Sequence, residues 1–138
     1  MPVEIRLLAW SCLLELVHII AASASGLQQR GGLQWAAGNR EGRTPEVSGA
    51  AARLEKASKN FFETFPIFAA LVLACVATGR HNTAVVLGAY LYFFARLVYL
   101  PVYGFGIPKV RSIIWGVAIV GILFVLWGLF IKLLPYTP

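Results

Sequence analysis

Charge is scarce in this chain. Of its 138 residues 13% are Asp, Glu, Lys or Arg, and 6 are acidic, against about a quarter charged in an ordinary soluble domain. That scarcity excludes a charged disordered tail and a coiled coil, both of which need dense polar positions. Cysteine is nearly absent as well. Cys12 and Cys75 stand in apolar runs without CxxC or metal-type spacing, which argues against a disulfide framework or a zinc site, and both read as buried, unreactive thiols. The two histidines, His18 and His81, are not spaced as metal ligands, and His81 reads as a solvated loop position, so no metal is expected. There is no collagen-type glycine period, Walker loop, GxGxxG, HExxH or Ser/His/Asp arrangement. GFGIPK, in the third connection, lacks a third glycine and a preceding soluble strand, so it reads as a turn. The length allows about one domain, residues 1–138, and leaves no room for a multidomain enzyme.

What the chain has in excess is apolar surface: 59% hydrophobic residues and a mean hydropathy of +0.74. This composition points to a small integral membrane protein. Windows of about 20 residues, the length that crosses a bilayer as a helix, find four candidates at about 5–27, 48–79, 82–104 and 109–134. The second includes an extension above the bilayer, the amphipathic GAAARLEKASKN (49–60), with Pro45 and Glu46 ahead of it as start signals. Glu15 and His18 interrupt the first span, Arg96 the third, and Lys132 is the charge in the fourth. Lipid cannot satisfy a free backbone group, so all four are expected to be helical. The fold class expected is therefore all-α, an integral membrane four-helix bundle with one real loop, Gln28 to about Val47. Leu7 to Ala22 followed by AASASG has the outline of a secretory signal, but Glu15 and His18 inside the apolar run argue against cleavage.

The positive charges set a topology. Arg30, Arg40, Arg43, Arg53, Lys56 and Lys59 surround the first loop, Lys109 and Arg111 the third, and Arg80 alone the second. With four spans, loops one and three share a side, and the positive-inside rule makes it cytoplasmic, with both termini opposite. Orientation thereby accounts for most of the net charge of +6, and nucleic acid is not expected as a partner.

Polar groups at membrane depth are costly unless paired or wetted, so they are candidate functional residues. At 100° per residue Arg53, Lys56, Asn60 and Glu63 fall within an arc of about 80° on the second span. On the third, Tyr92, Arg96, Tyr99 and Tyr103 recur at spacings of four, three and four, again one face. If the stripes face each other, they offer cations, an amide, a carboxylate and phenols near the cytoplasmic boundary, and Arg111, just after Pro108, can point back into the same place. That is a site for a small zwitterionic molecule with several carboxylates. The competing reading is structural: Glu63 pairs with Arg96, and the tyrosines are interface anchors. Glu15 pairs with His18 or Arg96 inside the bundle, or else, in a small proton-coupled multidrug exporter, it binds protons and cationic drugs in exchange. In the last span Ser112 and Gly116, and Gly121 and Gly128, offer weak signals of close helix packing.

The run KASKNFFETFPIF (56–68), followed by YLYFFARLVYLPVY (90–103) and IPKVR (107–111), resembles the MAPEG family, the membrane-associated proteins of eicosanoid and glutathione metabolism. The likeness covers about Gly38 to the C-terminus and rests on the ordered set Asn60, Glu63, Pro66, Arg96, Tyr103 and Arg111. GNRE and GRTPEVSGAAAR look most like the family's bacterial branch, which implies the inner membrane. The resemblance implies a homotrimer of four-span subunits with glutathione, a co-substrate, held between neighbours and open to the cytoplasm and to lipid. Arg53, Lys56, Asn60, Glu63, Arg96, Tyr99 and Tyr103 would then bind glutathione, and Arg111 would lie beside its thiol as the catalytic group. The implied activity is glutathione transfer to, or peroxide reduction of, a hydrophobic electrophile or lipid. A lipid-binding scaffold on the same fold is the alternative within the family. Lys56 stands where many active members have Arg, and Thr64 where leukotriene-forming members have Tyr.

Overall fold

The structure, a computed structural model, describes residues 1–131. The end of the fourth expected span, residues 132–134 with Lys132, lies outside the described residues. Five α-helices follow one another: α1 (Val3–Arg30), α2 (Gly32–Ala37), α3 (Gly49–Ala77), α4 (Thr83–Gly104) and α5 (Pro108–Phe130). All but α2 are long and apolar enough to cross a membrane. At 1.5 Å per residue α1 and α3 are each about 42 Å long, more than the roughly 30 Å hydrocarbon core, so both project beyond it. The chain is a multi-pass integral membrane protein. Trp10, Ile20, Phe62, Phe94, Ile113 and Leu123 all point outward and are exposed, as a protein solvated by acyl chains allows and a water-soluble one does not.

The long loop read from the sequence is shorter than expected. α1 runs on past Leu27 to Arg30, where Gly31 takes a left-handed φ of 114° and closes the helix by donating to the Gln28 carbonyl. The six-residue α2 follows. Its Trp35 lies between two guanidinium groups, Arg30 at 5.6 Å and Arg40 at 4.8 Å from the ring centroid. The remaining loop is tied back to α1: the Gln29 carboxamide accepts from the Ser48 backbone N–H at 2.9 Å, Arg30 Nε donates to the Pro45 carbonyl at 3.2 Å, and Arg30 pairs with Glu55 on α3.

The main core lies between α1, α3, α4 and α5 around Leu7, Phe68, Val72, Val85, Tyr92, Ala118 and Val125. α4 and α5 pack most extensively, because glycines let their backbones touch. A Cβ placed on Gly121 would stand 2.7 Å from the Tyr92 backbone nitrogen, and one on Gly88 would stand 2.5 Å from the Gly121 carbonyl oxygen. Gly128 is equally tight, whereas Gly116 has nothing within 4 Å. The close packing therefore belongs to Gly121 and Gly128 and not to the Ser112–Gly116 pair.

Asn82 joins the two helices at their far end. Its carboxamide oxygen accepts from the Val85 N–H at 3.1 Å, capping α4, and its nitrogen donates to the Gly128 carbonyl at 2.9 Å, one of the last carbonyls of α5, which lack partners within the helix. Asn82→Ala should cost about 2 kcal/mol, the loss of a cap plus a stranded carbonyl, readable as a lower unfolding temperature in detergent. Two expectations are corrected here. His81 is not simply solvated: its Nδ1 lies 2.7 Å from Glu4 Oε1, joining the start of α1 to the α3–α4 turn. Cys75 is buried, but Cys12 is exposed on the outer face of α1.

Candidate functional site

The helices run up and down, so the C-terminal ends of α1 and α4 and the N-terminal ends of α3 and α5 share one end of the bundle. At that end α3, α4 and α5 enclose an open cleft of about 610 Å³ lined by Lys56, Lys59, Asn60, Glu63, Tyr99, Tyr103, Arg111, Ser112 and Trp115. The helical period brings Lys56, Asn60 and Glu63 to one side of α3, and Tyr99 and Tyr103 stand one turn apart on α4. Pro108, with its fixed φ and no N–H to lose, opens α5, so that Arg111 falls in the first turn and reaches back over the Tyr103 ring at 4.7 Å. The two phenol rings meet edge to face with centroids 5.4 Å apart. Six of the eight residues singled out from the sequence thus line one cavity.

The other two lie close by. Arg53 lines a smaller recess of about 170 Å³ that shares Lys56, Tyr103 and Arg111 with the cleft, and its Nε donates to the Gly104 carbonyl at 3.0 Å. Arg96 lies behind the cleft wall, fully buried. It donates from Nη1 to Asn60 Oδ1 at 2.8 Å and from Nη2 to Thr64 Oγ1 at 2.6 Å. Thr64 in turn shares a hydrogen bond of 3.1 Å with the Tyr92 hydroxyl. Rings of Phe61, Tyr92 and Tyr99 surround the guanidinium at 5.1–5.6 Å. The Glu63–Arg96 pair of the structural reading does not form among the described residues; Arg96 points into the bundle, Glu63 into the cleft. The expected pairing of Glu15 with His18 or Arg96 also gains no hydrogen bond.

Sequence reasoning missed Lys59, Ser112 and Trp115. Lys59 had a signal, since it sits about 40° from Glu63 on the helical wheel and extends the stripe by one position. Ser112 and Trp115 had none: their place depends on where α5 packs.

Three cations against one carboxylate, with an amide and two phenols between them, leave the cleft lining with a surplus of positive charge, complementary to a small molecule with more negative than positive groups. The MAPEG family model matches residues 7–131, nearly the whole chain. The chain belongs to the MAPEG family. The match begins well before Gly38, so the first span, which the sequence likeness left out, belongs to the family region too. It assigns no branch, and the likeness to the bacterial branch gains no support from it. No curated protein and no solved structure matches the chain. In this MAPEG protein the residues behind the resemblance, Asn60, Glu63, Tyr103 and Arg111, converge on one cleft, while Arg96 braces it from inside.

Proposed function

We propose that this MAPEG protein is a glutathione-dependent transferase or peroxidase acting on hydrophobic electrophiles, with glutathione bound in the cleft between α3, α4 and α5. The observation that carries this reading is the match between the cleft's groups and those of glutathione. Two carboxylates meet Lys56 and Lys59, with Arg53 in the adjoining recess; the ammonium meets Glu63; the peptide meets Asn60 and the hydroxyls of Tyr99 and Tyr103. The volume lies within the range of small-molecule sites.

Arg111 is the group left for the thiol. A fixed guanidinium beside sulfur favours thiolate over thiol, and each unit of lowered thiol pKa is worth about 1.36 kcal/mol. In transfer, the thiolate attacks the electrophilic carbon, a sulfur–carbon bond forms, and the leaving group departs with the bonding pair. In peroxide reduction it attacks a peroxide oxygen, the O–O bond breaks, and the released alkoxide takes up a proton. The resulting sulfenic acid condenses with a second glutathione to give disulfide and water. The electrophile reaches the cleft from the bilayer, where Trp115 is exposed at its edge. By family likeness the working unit is a homotrimer. By the positive-inside rule the cleft end faces the cytoplasm and both termini lie opposite, in the inner membrane if the source is bacterial.

Calorimetry with detergent-purified protein, followed by thiolate absorbance, tests this reading. Binding with thiolate formation is expected. Absence of both, with lipid retained, favours the scaffold; cation transport abolished by Glu15→Gln favours the exporter. Glu63→Gln should weaken glutathione binding about tenfold or more, because the ammonium then loses its charged partner, whereas N-acetylated glutathione, which lacks that ammonium, should bind both forms alike.

A further inference from the structure

Arg96 carries a permanent charge in the interior of a membrane protein, and both of its hydrogen-bond partners, Asn60 and Thr64, are neutral. Its Nε has no partner among the described residues. An uncompensated buried charge is among the costliest features a membrane fold can hold. The nearby acids do not answer it directly: Glu63 lines the open cleft and Glu4 is taken by His81 at the far end.

A second set of unpartnered groups lies against the same wall. The Phe61 ring, 5.4 Å from the Arg96 guanidinium, is also 4.8 Å from the His18 ring, centroid to centroid. His18 is fully buried and neither of its nitrogens has a partner among the described residues. Glu15 precedes it by three residues on the same face of α1; it is 6% exposed, and both carboxylate oxygens are shielded and unpartnered. The carboxylate that acts electrostatically on Arg96 is that of Glu15. Five unsatisfied polar atoms of α1 and α4 are thus involved: those of His18 and Arg96 lie on either side of the Phe61 ring, and those of Glu15 lie one helical turn from His18. Groups so placed are satisfied by internal water, each molecule making about three hydrogen bonds.

We infer that Glu15, His18 and Arg96 form one water-bridged polar centre, in which Glu15 is the counter-charge of Arg96 and, through it, a positioning residue for Asn60. Arg96 occupies the Asn60 carboxamide oxygen, which leaves the amide nitrogen as the donor Asn60 offers to the cleft. Glu15, on a helix that contributes nothing to the lining of the cleft, therefore sets how a cleft residue is presented. The pairing stands by itself. Its consequence for ligand rests on the thiol reading above.

The test is a double-mutant cycle of Glu15→Gln, Arg96→Met and the pair, in detergent, read by thermal unfolding, glutathione binding and infrared spectroscopy. Each single change should lower the unfolding temperature by roughly 5–10 °C, and the double variant should lose less than the sum. The wild-type minus E15Q infrared difference should contain an ionised-carboxylate stretch. Glu15→Gln should also weaken glutathione about tenfold, and Glu15→Asp, which keeps the charge, should recover part of that loss. Additive unfolding losses, or a protonated-carboxyl stretch in the difference spectrum, overturn the pairing. If E15Q alone does not fold, a folded double variant supports the pairing, and a double variant that fails while R96M folds overturns it. Wild type that binds no glutathione sinks the thiol reading instead, and the unfolding cycle still decides the pair.

Discussion

Replacing Arg111 by alanine should lower the rate of glutathione conjugation by about 10²–10³-fold, some 3–4 kcal/mol of transition-state stabilisation, while glutathione still binds with an affinity within a fewfold of wild type. The separation follows from the cleft. Lys56, Lys59 and Glu63 sit on α3 and, in the proposed binding mode, remain to hold the charged ends of the tripeptide, whereas Arg111 sits on α5 across from them, over Tyr103. Loss of the thiolate absorbance in the bound state, with binding retained by calorimetry, is the expected signature. Arg111→Lys should restore part of the rate, since a point charge still favours thiolate but lacks the planar fork. Turnover unchanged in the alanine variant would remove Arg111 from the chemistry.

The second large effect is structural. Gly121→Ala should destabilise the protein by about 2–3 kcal/mol, because the added methyl group would stand 2.7 Å from a backbone nitrogen of α4 and a helix, unlike a flexible side chain, must move bodily to relieve it. Gly116→Ala, five residues earlier on the same helix and with nothing within 4 Å, should be neutral or slightly stabilising, since alanine is the better helix former. Thermal unfolding of the two variants in one detergent checks both at once. Equal stabilities would mean that α4 and α5 do not touch as described.

How much of this was legible beforehand follows from the range of each interaction. Span length and the 100° advance along a helix are local properties, so the four long helices and the Lys56–Asn60–Glu63 and Tyr99–Tyr103 faces follow from the chain itself. The same arithmetic reaches Arg96 but not its partners: four residues from Tyr92 and three from Tyr99, it shares their face, and only the packing of α4 on α3 turns it inward to Asn60 and Thr64. α2 was unreadable because six residues, GLQWAA, carry no apolar period. Cys12 and Cys75 look alike in sequence, each inside an apolar run; in lipid an apolar run does not say which side faces the core. Glu15 was visible as an anomaly with His18 and Arg96 as candidate partners; the choice between them depends on how α1 packs on α3 and α4, which spacing along one helix cannot encode.

The glycine contact between α4 and α5 reaches further than its own neighbourhood. Gly121 lies ten residues beyond Arg111, about 15 Å along the helix axis, so it serves as a fulcrum with the guanidinium at the end of the lever. A tilt of about 4° there displaces Arg111 by about 1 Å, and an error of that size in a reacting group can cost about a hundredfold in rate. Alignment of the Arg111 guanidinium is thus decided deep in the hydrocarbon, by the absence of a single methyl group.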